Sequence, residues 1–231
     1  MQLHRIHFAH VLLLMSVSLL VGCADWLPNR RPPPAVPHDL GWLPPPTPIA
    51  LEEIPVVAVE SPPWLSESAL RYRQAGSDPT ALRRYPDDYW VAPPRELVLD
   101  RLQQYLLASR HIAVRPNSPR YRLEVRLLRF EQEQHGLRSE AIVSLQALLL
   151  DPRNRRQFAS PAIEARVASP SPGAAGAVRG LGQATDQAIV ELMGWLASVQ
   201  AQNPAPETAL EPAPQTSATK GLRSLFPARR P

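Results

Sequence analysis

The chain has 231 residues, of which 44% are hydrophobic and 20% are charged, and its formal net charge is +4 at pH 7. This composition predicts one globular domain, because most of the 28 prolines lie toward the two ends of the chain. Inside the chain the arginines alternate with glutamates, as at Arg122, Glu124 and Arg126. Such alternation is typical of a solvated strand face, so we expect no nucleic-acid partner.

Residues 1–22 predict a signal peptide. An uncharged apolar stretch follows a short basic start and is too short for a permanent transmembrane helix. Leu20, Val21 and Gly22 then lead directly into Cys23, the only cysteine of the chain. This pattern resembles the lipobox of bacterial lipoproteins, which implies that the Cys23 sulfur is acylated, with palmitate for example, and anchors the protein to a membrane. A signal anchor with a chance cysteine is the alternative.

The residue after the cysteine bears on the choice of membrane. In lipoproteins an aspartate at this position favours the inner membrane; here Ala24 occupies it and Asp25 follows. The resemblance therefore implies the periplasmic side of the outer membrane, with the inner membrane as the alternative. Residues 23–50 show no helical or strand period and predict a proline-rich tether, up to roughly 80 Å long at about 3.1 Å per residue. Residues 203–231 predict a disordered, proline-rich tail.

Residues 51–202 predict the folded domain between these flanks. Its first half contains valine-rich and alternating segments at 54–60 and 69–74, which predict short strands. A proline pair then precedes Arg95 to Arg110, where apolar residues recur at helical spacing. Proline at a helix start costs no hydrogen bond, so this segment predicts a helix.

The second half predicts a three-strand meander and a closing helix. The alternation in residues 121–131 changes phase at Leu127 and Leu128, which predicts a β-bulge there. Strands at 141–149 and 163–167 follow, and residues 177–200 form an amphipathic helix. This order predicts an α+β fold, a two-layer sandwich with a mainly antiparallel sheet and two main helices.

Few side chains of the predicted domain are candidates for catalysis. Its histidines have no partner at metal-ligand spacing. Asp87 and Asp88 are neighbours, but adjacent side chains in an extended segment point apart, which favours a solvated loop over an acid/base pair. Gly180 and Gly182 lack the third glycine of a phosphate-binding loop and predict flexibility at a helix start. We expect no catalytic residue, no metal and no cofactor.

The segments Trp64–Arg73, Leu82–Tyr85 and Tyr89–Pro94 carry a resemblance to a known family, and the spacing of Tyr72-Arg73 to Trp90 and the proline pair is distinctive. They resemble the ABC-type transport auxiliary lipoprotein component family, whose members work without catalysis beside MCE-domain lipid transporters. The resemblance implies an MCE-domain partner and, through it, an ABC permease and ATPase. Contact with phospholipid and a homo-oligomeric ring are further expectations from the family.

The aromatic residues Trp64, Tyr72, Tyr89 and Trp90 are the candidate partner or lipid surface. Two interpretations are open: the rings fix the segment to the core, or they form an exposed belt at a partner or a lipid surface. The exposure of Tyr89 and Trp90 distinguishes them. The leading hypothesis for function is an auxiliary component of MCE-type lipid transport. The alternative is a structural scaffold lipoprotein of another cell-envelope assembly.

Overall fold

The computed structural model describes residues 34–42, 49–52, 54–76, 78, 80–109 and 120–204. The signal peptide, Cys23 and the chain beyond residue 204 lie outside the described residues. The strands are β1 (Val36–His38), β2 (Val56–Glu60), β3 (Ala69–Gln74), β4 (Arg83–Trp90), β5 (Arg122–His135), β6 (Arg138–Asp151), β7 (Arg156–Ala159) and β8 (Ile163–Ala168). The helices are α1 (Pro94–Ala108) and α2 (Ala174–Gln202), and Pro63–Leu65 form a 3-10 turn.

A long hairpin of β5 and β6 is the centre of the sheet. The two strands have 14 residues each and pair antiparallel, with His135 opposite Arg138 at the turn. Each outer edge of the hairpin is shared by two shorter strands. β2 and β3 pair with the first and second halves of β5, while β8 and β7 pair with the first and second halves of β6. β4 adds to β3, and β1 adds to β4 at the edge.

The expectation of a mainly antiparallel sheet is wrong, although the α+β class and the two main helices are confirmed. β1 pairs parallel with β4, and both β2 and β3 pair parallel with β5, so the sheet is mixed. Alternation of apolar side chains indicates a strand but not the direction of its neighbour. The parallel pairs of β2 and β3 with β5 depend on a long connection that contains α1, as parallel pairing requires.

The predicted bulge at Leu127 and Leu128 is confirmed. Leu127 pairs with Leu145 and Arg129 pairs with Ser144, so Leu128 is the extra residue in β5. The strand therefore changes phase at this point. Before the bulge the buried side chains are at odd-numbered positions (Leu123, Val125 and Leu127), and after it the even-numbered Phe130 is buried. The bulge lets both halves of β5 contribute to one core.

Helix α2 packs on the sheet through an apolar stripe. Its fully buried members include Leu181, Ala184, Ala188, Leu192 and Leu196, which recur at the three- and four-residue spacing of one helix face. Burial of each leucine contributes about 1.5–3 kcal/mol relative to an exposed one. The helix lies over β6, β8 and the adjoining part of β5.

The glycine pair near the start of α2 has a packing role, so the prediction of a flexible helix start is wrong. A Cβ atom on Gly180 would lie 2.8 Å from the Cβ of Ala141 on β6, and one on Gly182 would lie 2.8 Å from the carbonyl oxygen of Leu40. Both positions are fully helical. The missing side chains allow α2 to approach the sheet and the chain after β1.

The structure also revises two segments of irregular chain. The predicted tether contains β1, which joins the edge of the sheet. The segment around Asp87 and Asp88, expected to be a loop, is part of β4. A further short strand, β7, lies between the two strands predicted at 141–149 and 163–167. Among the described residues, no helix is both long and apolar enough to cross a membrane.

Candidate functional site

The four candidate aromatic residues divide between core and surface. Trp90 is fully buried, Tyr72 is partly buried, and Trp64 and Tyr89 are 54% and 40% exposed. Neither interpretation from the sequence therefore holds for the whole set. Trp90 fixes the segment to the core, whereas Trp64 and Tyr89 are available for contact with another molecule.

Trp90 lies at the end of β4, where several chain segments meet. Its backbone N–H donates to the carbonyl oxygen of Ser68 at 2.7 Å, and its indole packs on Phe130 of β5. Its indole N–H has no hydrogen-bond partner among the described residues. Trp90 therefore acts through packing, and the prediction that it contributes to an exposed surface is wrong because its side chain is enclosed.

Tyr72 and Tyr85 form the second aromatic pair, with ring centroids 4.7 Å apart. The Tyr85 hydroxyl donates to Gln132 Oε1 at 2.6 Å and accepts from Gln134 Nε2 at 2.8 Å. Gln134 Nε2 also donates to the Pro172 carbonyl oxygen at 2.6 Å. Burial raises the pKa of Tyr85 to about 12, so the hydroxyl keeps its proton at neutral pH. This network joins β4 and β5 to the chain before α2 and has a structural role.

The buried carboxylate of Glu131 lies between two guanidinium groups. Glu131 Oε1 accepts from Arg73 Nε at 2.9 Å and from Arg129 Nη2 at 2.6 Å. Its side chain is 5% exposed. Because a buried charge requires partners, this arrangement satisfies the carboxylate and ties β3 to β5 rather than presenting a free acid or base.

The chain around β1 is attached to the domain by specific polar contacts. His38 Nε2 and Asp88 Oδ1 are 2.7 Å apart. Arg101 of α1, which is 3% exposed, donates through Nη2 to the carbonyl oxygens of Leu40 and Gly41 at 2.9 and 2.7 Å. These contacts fix residues 38–41 to β4 and α1. Arg101 was not identified from the sequence.

Arg101 also faces a carboxylate of the other helix. Its Nε lies 3.6 Å from Asp186 Oδ1 on α2. Burial raises the pKa of Asp186, although the charge of Arg101 and a hydrogen bond with Tyr105 lower it. The guanidinium thus links α1, α2 and the segment after β1, so this charged cluster has a structural role.

An open cleft of about 310 Å³ lies beside residues 36–42 (the attached segment). It is lined by residues 37–41, by Val91, and by Val178 and Arg179 near the start of α2. Its side chains include no pair of a nucleophile and a base within the part of the chain that the structure describes. In the same described ranges, no cluster of histidine and carboxylate side chains could hold a metal ion. The cleft is open to solvent rather than enclosed.

Three exposed apolar side chains near β1 were not singled out from the sequence. Val36 is 46% exposed, Trp42 93% and Val91 58%. The one sequence signal for this group was Trp42, because large apolar rings are uncommon in proline-rich stretches. Cys23 and the motif Leu20-Val21-Gly22 lie outside the described residues, so the lipid attachment stays a prediction.

The comparisons identify related proteins. A family model described as "ABC-type transport auxiliary lipoprotein component" matches residues 44–192. Among solved structures, the fold is similar to that of a Xanthomonas campestris protein, at 22% identity with a TM-score of 0.59, covering 73% of this chain and 93% of that one. An uncharacterized protein gives 15% identity, a TM-score of 0.53, and coverage of 71% and 99%. These two likenesses show the fold.

A putative lipoprotein from Caulobacter crescentus is 24% identical, with a TM-score of 0.35 and coverage of 46% of this chain and 82% of that one. No curated protein matches the chain.

Proposed function

The chain belongs to the family of ABC-type transport auxiliary lipoprotein components, and from this premise we propose that it is a non-catalytic, outer-membrane-anchored subunit of an MCE-type lipid transport system. The family match carries the proposal, because it spans the domain from before β2 to well within α2. In this role the folded core binds an MCE-domain protein, which in turn works with an ABC permease and ATPase. Acylation at Cys23 holds the core on the periplasmic side of the membrane.

The organisation of polar groups supports a binding role. Glu131 and Tyr85 each have several hydrogen-bond partners within the fold, so their chemistry is used to join strands. Trp64, by contrast, is an exposed aromatic residue in the turn before β3. Exposed aromatic rings are enriched where proteins bind partners, and we assign Trp64 to the contact with the MCE-domain protein.

A pull-down tests the proposed partner. Purified protein is mixed with the MCE-domain protein encoded near its own gene, with and without a chelator and nucleotide. We expect capture in both conditions, and we expect Trp64→Ala to weaken it by at least about tenfold, since an aromatic hot spot is worth about 1.4 kcal/mol or more.

The matched control for Trp64→Ala is Leu137→Ala, which changes another exposed apolar side chain, 92% exposed, in the β5–β6 turn. This variant should bind like the wild type. If the intact protein captures no MCE-domain protein, the transport assignment fails and a scaffold role in another envelope assembly replaces it.

The lipid anchor has a separate test. Cys23→Ala should leave the core folded but release it from the membrane, because Cys23 is the only thiol available for acylation. Metabolic labelling with a fatty acid should disappear in this variant. Labelling that persists would contradict the lipoprotein assignment.

A further inference from the structure

We propose that the apolar surface at the edge of the sheet around the end of β4 rests on the bilayer that carries the anchor. This rim surface consists of the exposed side chains of Trp42, Tyr89 and Val91. The inference rests on the proposed acylation of Cys23 and adds to it an orientation of the folded core toward the membrane.

Backbone pairing brings the rim residues to one edge of the sheet. Pro37 pairs with Tyr89, and the N–H of Val91 donates to the carbonyl oxygen of His38 at 2.8 Å. Trp42 follows a turn in which the Asp39 side chain accepts from the N–H of Gly41 at 2.8 Å. The φ of Gly41 is +75°, a backbone conformation that favours glycine. Trp42 therefore leaves the attached segment close to β1.

The length of chain before β1 limits the distance between this edge and the anchor. Pro34 is the first described residue, and it is 34 − 23 = 11 residues from Cys23. Even a fully extended chain spans at most about 3.3–3.6 Å per residue, or roughly 40 Å for this stretch. The sequence alone suggested a tether of roughly twice that reach, because residues 34–50 were counted as free chain.

Polar contacts fix the attached segment to the rest of the domain. The limit on the distance from Cys23 therefore applies to the whole domain. Arg101 holds the carbonyl oxygens of Leu40 and Gly41, and His38 contacts Asp88. Because β1 is fixed to β4 and to α1, the membrane-proximal chain enters the fold at this edge. The rim surface therefore lies at the edge of the sheet where the described chain begins.

The chemistry of the rim residues fits a bilayer interface. Trp42 and Tyr89 have apolar rings with a polar group, which favours the level of the lipid head groups. Val91 supplies apolar contact beside them. Asp39 and Arg179 line the adjoining cleft and contribute one charge of each sign, so neither sign dominates there. An anchor supplied by lipid and a second contact supplied by the rim would act together in binding.

Site-specific fluorescence tests the orientation. Cys23 is the only cysteine, and in the acylated protein its sulfur is blocked, so Trp42→Cys and Val91→Cys each give one reactive thiol for an environment-sensitive dye. The full acylated protein is placed in vesicles of phosphatidylethanolamine and phosphatidylglycerol that contain a spin-labelled quencher lipid. We expect a blue-shifted emission and quenching at both positions, and a loss of both signals when the lipid anchor is cleaved from the vesicle.

The control is Leu137→Cys, at an exposed position in the β5–β6 turn. β3 runs parallel to β5 and ends opposite Gln134 beside this turn, whereas Tyr89 near the end of β4 pairs with Ala69 at the start of β3. The dye at position 137 therefore lies at the opposite end of these strands and should report water.

The outcomes separate the two proposals. A protein that is not acylated and does not associate with vesicles contradicts the lipoprotein assignment. An acylated, vesicle-bound protein whose dyes at positions 42 and 91 report water as the dye at 137 does overturns the rim surface while the anchor stands. All three substitutions are at exposed positions, so we expect each labelled variant to fold. Thermal melts of the three variants check this.

Discussion

The indole of Trp90 packs against the ring of Phe130 in an edge-to-face arrangement, with ring centroids 5.5 Å apart and an interplanar angle of 69°. The two side chains are 0% and 1% exposed. Phe130 follows the bulge in β5, whereas Trp90 ends β4, so the contact crosses from the edge of the sheet to its centre. The most distinctive tryptophan of the family-like segment therefore belongs to the core.

Truncation of this side chain should destabilise the fold. We expect Trp90→Ala to lower the free energy of unfolding by about 3–5 kcal/mol, because a large buried aromatic group is replaced by a cavity. Tyr89→Ala, one residue earlier and exposed, should change it by about 0.5 kcal/mol or less. Urea denaturation monitored by circular dichroism measures both. Equal losses in the two variants would contradict the assignment of Trp90 to the core.

Two glycines of α2 should respond in opposite directions to the same substitution. A Cβ atom on Gly180 would meet Ala141 at 2.8 Å, whereas one on Gly194 would have no atom within 4 Å. Gly180→Ala should therefore cost about 1–3 kcal/mol through overpacking. Gly194→Ala should stabilise the helix by about 0.5–1 kcal/mol, since alanine is the better helix former. Stability curves of the pair, measured side by side, decide the point; a stabilising Gly180→Ala would contradict the close approach.

Asp186 should make stability depend on pH. Burial raises its pKa above the ordinary 3.8, against the lowering effects of Arg101 and Tyr105. The folded state therefore holds this proton more tightly than the unfolded chain. The resulting stabilisation is fully present below the unfolded pKa and is lost as the pH rises through the higher folded pKa.

Replacement of Asp186 by asparagine removes this titration. Unfolding free energies of wild type and Asp186→Asn, measured by urea denaturation at stepped pH, should converge or cross in favour of the variant between about pH 4 and neutral pH. Glu191→Gln, which changes an exposed carboxyl on the same helix, is the control and should follow the wild type. Parallel curves for wild type and Asp186→Asn would contradict the raised pKa.

Local patterns predicted the elements that bury one regular face. The strand at 69–74 agrees residue for residue with β3, and the helix predicted from Arg95 after the proline pair begins one residue earlier, at Pro94. β4 was missed because Pro86, Asp87 and Asp88 interrupt apolar alternation within it. These residues are extended because β4 pairs with β1 on one side and with β3 on the other.

The conformation of β1 and the direction of β2 and β3 depend on pairing between distant segments, which the local sequence pattern does not predict. β1 has three residues, too few for any period to be visible, and its strand conformation depends on β4 and Arg101. The parallel direction of β2 and β3 likewise depends on the connection to β5. For the candidate site, the sequence identified the aromatic residues but not their burial, because Tyr89 and Trp90 are neighbours on opposite faces of one strand.

The extra residue in β5 gives the sharpest test of the fold. Deletion of Leu128 would restore unbroken alternation and leave the pairs Leu127–Leu145 and Arg129–Ser144 as they are, so no side chain from Arg129 to His135 would change face. Phe130 and Gln132 would stay on the buried side. We expect the deletion variant to unfold cooperatively and to lose about 1–3 kcal/mol, as Leu128→Ala at this partly buried position should. Thermal melts followed by near-ultraviolet circular dichroism compare the two, and loss of the native tryptophan signals in the deletion variant alone would contradict the assignment of Leu128 as the extra residue.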